Sequence, residues 1–173
     1  MLRNLNLPDD RQAIPRLHAY IRAAEHVIRM EVAINAEDIE GWFLAHGHFH
    51  RLLTSKADES LLRQLRTYSD RSIRYLRLYT QELGDWQRSR HPEHIAIYTA
   101  VADHDTDLAV RRLALHLAGV AEHIMAARDP NYVGKSVRRA LRLVGVAEIA
   151  SALPHEQIQD STRYLPPDSA ALA

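Results

Sequence analysis

Residues 105–127 read DTDLAVRRLALHLAGVAEHIMAA, and this stretch decides the fold class. Its apolar residues recur at the spacing of an α-helix that buries one face. We expect Asp105 or Thr106 to begin the helix, because a side-chain oxygen there can accept a hydrogen bond from the first turn. The pair Asp129-Pro130 should end it, since proline disfavours helical backbone in the residue before it.

The same helical period extends along most of the chain. Glycine is scarce, with 6 residues, and runs of alternating β-branched residues are absent. The sequence therefore predicts an all-α protein, an antiparallel helical bundle of about six helices. The five further helices are expected near residues 9–33, 36–55, 58–82, 91–103 and 134–152.

Single residues predict the helix boundaries and faces. Asn35 is expected to cap the second helix, with Asp38 in its first turn, and Gly84 and Pro92 are expected to bracket the connection before the fourth helix. The apolar residues that share one face of the first helix are Ile14, Leu17, Ile21, Ala24, Ile28 and Val32. Trp42, Phe43 and Phe49 are assigned to the core, whereas Tyr68 and Tyr75 suit either the core or a pocket wall.

Length and composition bound the class of protein. The 173 residues, 46% of them hydrophobic, predict one domain over residues 1–153, and three prolines interrupt a loosely held tail over residues 154–173. Lys plus Arg and Asp plus Glu both number 22, so the balanced charge predicts no tight nucleic-acid binding by this chain alone.

The absence of cysteine excludes disulfides and thiolate metal sites. No secretory signal and no run near ~18 apolar residues is present, so we expect a cytoplasmic protein without a membrane span.

Four of the eleven histidines carry the functional hypothesis. His46 and His50 are four positions apart on one predicted helix, so both imidazoles project from one face and could reach one ion, while His48 points to another face. His94 is expected near the start of the fourth helix. The face of the fifth helix that carries His116, and that should be buried, also carries Leu113, Leu117 and Val120. A buried imidazole needs a hydrogen-bond partner or a metal, and spacing alone leaves both alternatives open.

The order and separation of these residues resemble the FCD domain, the effector-binding domain of FadR-type GntR transcription regulators. The segments that carry the resemblance are His46-Gly-His-Phe-His50-Arg-Leu-Leu53, Glu93-His94-Ile-Ala-Ile97-Tyr-Thr-Ala100, the helix start at 105–109, and His116-Leu117. His94 and His116 are 22 positions apart, as in the family's pattern. The similarity covers roughly residues 8–127.

The resemblance implies a divalent transition metal bound by His46, His50, His94 and His116, and a small organic acid as effector. Nitrogen ligands favour zinc or nickel over magnesium or calcium. The resemblance also implies a homodimer and no catalytic residue. DNA would be contacted only through a DNA-binding domain that this chain lacks, so we expect an excised effector domain, a truncated regulator or a stand-alone relative.

The sequence departs from the family's pattern at its ligand set and at its start. His46 stands where the family has Asp, and Glu59 stands where it has Asn. The family's first helix, with an arginine that helps to grip carboxylates, has no counterpart here. Four neutral imidazoles leave a divalent ion with its full charge, which a protein interior penalises, so such a site should recruit an anion.

Arg71 and Arg74 are the candidate ligand-binding residues. They are three positions apart on the third predicted helix, and a guanidinium can grip a carboxylate through two hydrogen bonds. The alternative is a solvated face, since that helix carries five arginines.

Three functions fit these residues. The favoured one is a sensor that binds a carboxylate at a metal. The alternative is a stand-alone metal-dependent enzyme on the same scaffold, in which an open metal position activates water. Against it, no Asp or Glu beside the histidines suggests a general base. A third possibility is a dimerisation module without a ligand.

Overall fold

The computed structural model describes residues 13–80 and 86–146. Six α-helices account for most of these residues, and no strand occurs among them, which confirms the all-α prediction. The helices are α1 (Ala13–Asn35), α2 (Ile39–Leu53), α3 (Glu59–Thr80), α4 (Trp86–Ala102), α5 (Thr106–Arg128) and α6 (Lys135–Leu143). None of the described helices is long and apolar enough to cross a membrane. The predicted tail, 154–173, lies outside the described residues.

The chain divides into two compact units, with the boundary after Lys56. In the first unit α1 packs against α2. The buried apolar residues of these two helices are Ala23, Val27, Met30, Ala33, Trp42, Phe43, Ala45 and Phe49, so the three aromatic residues lie in the core as predicted. In the second unit α5 packs against α4 and α6. The core cluster on the α6 side consists of Leu115, Ala118, Leu141 and Val146.

A single motif makes the corner between α1 and α2. The amide of Glu37 donates to the carbonyl of Ile34 (3.3 Å), and the amide of Asp38 donates to the carbonyl of Ala33 (2.8 Å). Glu37 lies in the left-handed region, with φ 55°. Asp38 then caps α2, because its side chain accepts a hydrogen bond from the amide of Gly41. The predicted cap at Asn35 is wrong, since Asn35 is still helical and the chain reverses after it.

The corner between α4 and α5 repeats this construction. His104 has φ 59°, and the amide of Asp105 donates to the carbonyl of Ala100 at 3.0 Å. The side chain of Asp105 accepts a hydrogen bond from the amide of Leu108, so the predicted start of this helix is confirmed. At each corner one aspartate therefore completes one helix and begins the next.

The fourth helix begins earlier than the sequence predicts. It starts at Trp86 and contains Pro92, so Pro92 does not bound a connection, while Gly84 lies outside the described residues. Trp86, Arg90 and His91 are buried. Burial of the Trp86 indole favours this earlier start, although an internal proline removes one backbone hydrogen bond.

The sixth helix ends earlier than predicted. Gly145 has φ 75°, and the amides of Gly145 and Val146 donate to the carbonyls of Arg142 and Leu141, which closes the helix at Leu143. The helix follows Gly134, whose φ is 62°. This positive φ strains a residue with a Cβ, and a Cβ at position 134 would also displace the carboxylate of Glu122, so the position favours glycine.

Several apolar residues lie on the opposite side of their helices from the one that periodicity suggests. Helix α1 carries two apolar stripes. The stripe with Val27 and Met30 is buried, whereas the predicted stripe is solvent-facing, with Ile21, Ile28 and Val32 more than half exposed. Leu117 of α5 is 54% exposed, and its neighbours Leu115 and Ala118 are buried instead. Tyr68 and Tyr75 are exposed and therefore do not belong to the core.

Glu37→Gly should raise the free energy of unfolding by about 0.5–1 kcal/mol, because glycine adopts the left-handed conformation without the steric cost of a Cβ. Glu37→Ala keeps the Cβ and is the matched control. Urea denaturation of both variants measures the difference. A Glu37→Gly protein no more stable than Glu37→Ala would contradict the left-handed corner.

Candidate metal centre

His46 and His50 form a pair on α2. Their Nε2 atoms are 3.1 Å apart, and the rings meet edge to face with centroids 4.4 Å apart. His46 is 9% exposed and stacks on Trp42, one turn earlier, with ring centroids 4.5 Å apart. The ring of Phe49 borders His50 at 5.5 Å. These aromatic neighbours hold the two imidazoles with their Nε2 atoms side by side.

The distance between the two Nε2 atoms suits a shared metal ion. Bonds of about 2.0–2.1 Å from an ion to imidazole place two such nitrogens roughly 2.9–3.4 Å apart around it. His48, between them in sequence, is exposed, and its ring lies 5.0 Å from that of His26 on α1. His48 therefore occupies another face of α2, as predicted.

His94 and His116 form a second pair, in the other compact unit. They are 1% and 2% exposed, so the predicted burial of His116 is confirmed. Their ring centroids are 4.5 Å apart, with the ring planes inclined at 66°. Because α4 starts at Trp86, His94 lies in the middle of α4 and not near its start. Packing of α4 against α5 thus brings the two imidazoles together.

A buried carboxylate orients His116. Oε2 of Glu93 lies 2.6 Å from Nδ1 of His116 and 2.9 Å from Nη2 of Arg90. The same Nη2 atom donates to the backbone carbonyl of His116 at 3.1 Å. An ionised carboxylate at Nδ1 makes Nδ1 the protonated nitrogen, so Nε2 keeps its lone pair for a metal ion.

Burial shapes the charges of this network. The side chains of Arg90, Glu93 and His116 are 6%, 4% and 2% exposed. Desolvation lowers the pKa of Arg90, and the negative charge of Glu93 opposes this shift. Burial, followed by the charge of Arg90, also lowers the pKa of His123 on α5. Since arginine stays protonated in proteins, the network holds one opposite charge for each charge it buries.

Glu93 is the functional residue that the sequence analysis missed. The sequence analysis found no Asp or Glu that suggested a general base and gave Glu93 no role of its own, whereas the structure brings the carboxylate of Glu93 against Nδ1 of His116. The available signal was the Arg90–Glu93 spacing, which places both residues on one face of α4. Local spacing does not reveal that the packing of α5 brings His116 to that face.

The two predicted ligand-binding arginines lie on α3. Arg71 and Arg74 are both exposed, while Arg77, on the next turn, is half-buried. Arg63, further toward the start of α3, is exposed and pairs with Glu59 at 3.1 Å. The role of Arg71 and Arg74 in ligand binding stays a prediction.

Comparison with known proteins gives the chain a family. No curated protein and no solved structure matches it. The family model of the FCD domain matches residues 11–119, more than half of the chain. The matched range contains all four candidate histidines as well as Arg90 and Glu93. The chain therefore belongs to the FCD domain family, the effector-sensing domains of GntR-type transcription regulators.

Proposed function

We propose that this FCD domain senses a small carboxylate at a divalent transition metal held by His46, His50, His94 and His116. The observation that carries the proposal is the 3.1 Å separation of the Nε2 atoms of His46 and His50, which suits two ligands of one ion. The buried pair of the second unit supports it, since the carboxylate of Glu93 at Nδ1 makes Nε2 the unprotonated nitrogen of His116. Each of the four histidines offers one ring nitrogen.

The donor atoms favour particular ions. Imidazole nitrogens suit zinc and nickel better than magnesium or calcium, which prefer oxygen. When bound, the ion would act as a Lewis acid that attracts a carboxylate oxygen. Four imidazoles leave the charge of the ion uncompensated, and Glu93 does not compensate it because Arg90 neutralises Glu93. An anionic effector would supply the missing negative charge.

The effector would act by shifting a conformational equilibrium. A ligand that binds one arrangement of the domain more tightly than another increases the population of that arrangement. In a cytoplasmic, homodimeric regulator this shift would reposition DNA-binding domains attached to the FCD domain. The sensor therefore needs DNA-binding elements beyond the matched residues.

The contacts of Glu93 favour sensing over a metal-dependent enzyme. A general base must reach the proton that it removes from a substrate. Oε2 of Glu93 contacts Arg90 and Nδ1 of His116, and although Oε1 has no hydrogen-bond partner among the described residues, the side chain is only 4% exposed, which keeps a substrate from reaching it. We therefore assign Glu93 to the orientation of a ligand imidazole and no residue to catalysis.

His50→Ala should weaken zinc binding by about ten-fold or more, because loss of a ligand costs at least as much as loss of a residue that orients one. His48→Ala is the matched control: it removes an imidazole two residues away on an exposed face and should bind zinc as the wild type does. Isothermal titration of metal-free protein with zinc measures both. Equal zinc affinity of the two variants would exclude His50 as a ligand.

Zinc occupancy should fall steeply as the pH drops from about 7 to about 5. Imidazole binds a metal ion only when it is neutral, and histidine ordinarily titrates near pH 6.5. Dialysis of zinc-loaded protein at a series of pH values, followed by elemental analysis, gives the occupancy. Full occupancy at pH 5 would show that carboxylates, and not four histidines, hold the ion.

Arg71→Ala or Arg74→Ala should lower the affinity of zinc-loaded protein for succinate by about ten-fold if that arginine grips the carboxylate, since a charge-assisted hydrogen bond contributes strongly. Arg63→Ala, on the same helix, is the control for a general loss of positive charge. Succinate affinity that falls equally in all three variants, or in none, would assign both arginines to a solvated face.

A further inference from the structure

We propose that Arg90 sets the net charge around the metal centre and thereby its demand for an anionic ligand. This inference rests on the proposed function and concerns the residues behind His116, on the side away from the nitrogen that would bind the ion. Arg90 is a positioning and charge-setting residue here, because it contacts Glu93 and the backbone of His116.

The contacts make Arg90 and Glu93 one electrostatic unit with His116. Nη2 of Arg90 reaches both Oε2 of Glu93 (2.9 Å) and the carbonyl of His116 (3.1 Å). The same Oε2 atom lies 2.6 Å from Nδ1 of His116. All three side chains are at least nine-tenths buried, so water screens their charges weakly. The ion and an anion bound to it would experience both charges.

The sign of the expected effects follows from the charges. A carboxylate hydrogen-bonded to a ligand imidazole ordinarily strengthens that ligand and lowers the net charge of the centre. The positive charge of Arg90 cancels the negative charge of Glu93, so the net charge of the centre stays equal to the double positive charge of the ion. Without Arg90 the net charge falls by one, and the ion binds more tightly but attracts anions less. Without the charge of Glu93 the net charge of the centre rises by one, so the ion binds less tightly and attracts anions more.

The size of the effect is measurable. A unit charge roughly 8 Å from a bound anion, at an effective dielectric constant of about 20, changes anion affinity by about ten- to thirty-fold. A purely structural role for Arg90 predicts something different. Loss of a structural anchor on either side of the Arg90–Glu93 pair would loosen His116 and weaken both metal and anion binding in every variant.

The test uses the full chain loaded with Co²⁺, whose visible absorption reports both metal binding and the addition of azide as an anionic probe. Arg90→Met should bind Co²⁺ more tightly and azide about ten-fold less tightly than the wild type, and its metal-free form should be less stable because it leaves Glu93 buried without its counter-ion. Glu93→Gln should bind Co²⁺ less tightly and azide about ten-fold more tightly. The double variant should return azide affinity toward the wild-type value.

Arg111→Met is the matched control, because Arg111 is an exposed arginine of α5 and its loss should change azide affinity less than about two-fold. If Arg90→Met does not fold, Glu93→Gln and the double variant carry the test, since the charges predict distinct azide affinities for them.

Azide affinities that fall in both single variants, or that do not change, would overturn the inference while the metal site stands. A wild-type protein that binds Co²⁺ but no azide would overturn it too. A wild-type protein that binds no Co²⁺ would overturn the proposed function and this inference together.

Discussion

The buried ion pair between Arg90 and Glu93, beside His116, is the interaction on which the candidate metal centre of the second unit depends. A buried charge is tolerated only with a partner, so α4 must present both residues on one face, and α5 must bring His116 against it. The pair spans Pro92 within α4, because Arg90 precedes the proline and Glu93 follows it. The tautomer of His116 depends on the same pair, because the carboxylate of Glu93 faces Nδ1.

Features that depend on local spacing could be predicted from the sequence. The all-α class follows from the helical period of the apolar residues, and the start of α5 at Asp105 follows from its capping chemistry. The proximity of His46 and His50 follows from the geometry of one helical turn. The resemblance to the FCD domain rested on the order of short motifs along the chain, and the family match over residues 11–119 confirms it.

Features that depend on which helices pack together could not be predicted in this way. Two apolar stripes on α1 satisfy the same period, and only contact with α2 decides that Val27 is buried while Ile28 is exposed. Because Glu37 adopts a left-handed conformation, α2 is capped by Asp38 and not by Asn35. The sequence contains no glycine at this corner, so it does not indicate a left-handed residue there. The contact between Glu93 and His116 spans 23 positions, which no local periodicity encodes.

We propose that four imidazoles hold one transition-metal ion in this domain. X-ray absorption spectroscopy of protein reconstituted with one equivalent of zinc tests it most directly, because outer-shell scattering counts the imidazoles around the ion. We expect four imidazole nitrogens at about 2.0–2.1 Å, with any further ligand an oxygen from solvent or a carboxylate. A spectrum with two or fewer imidazoles, or with oxygen ligands alone, would contradict it.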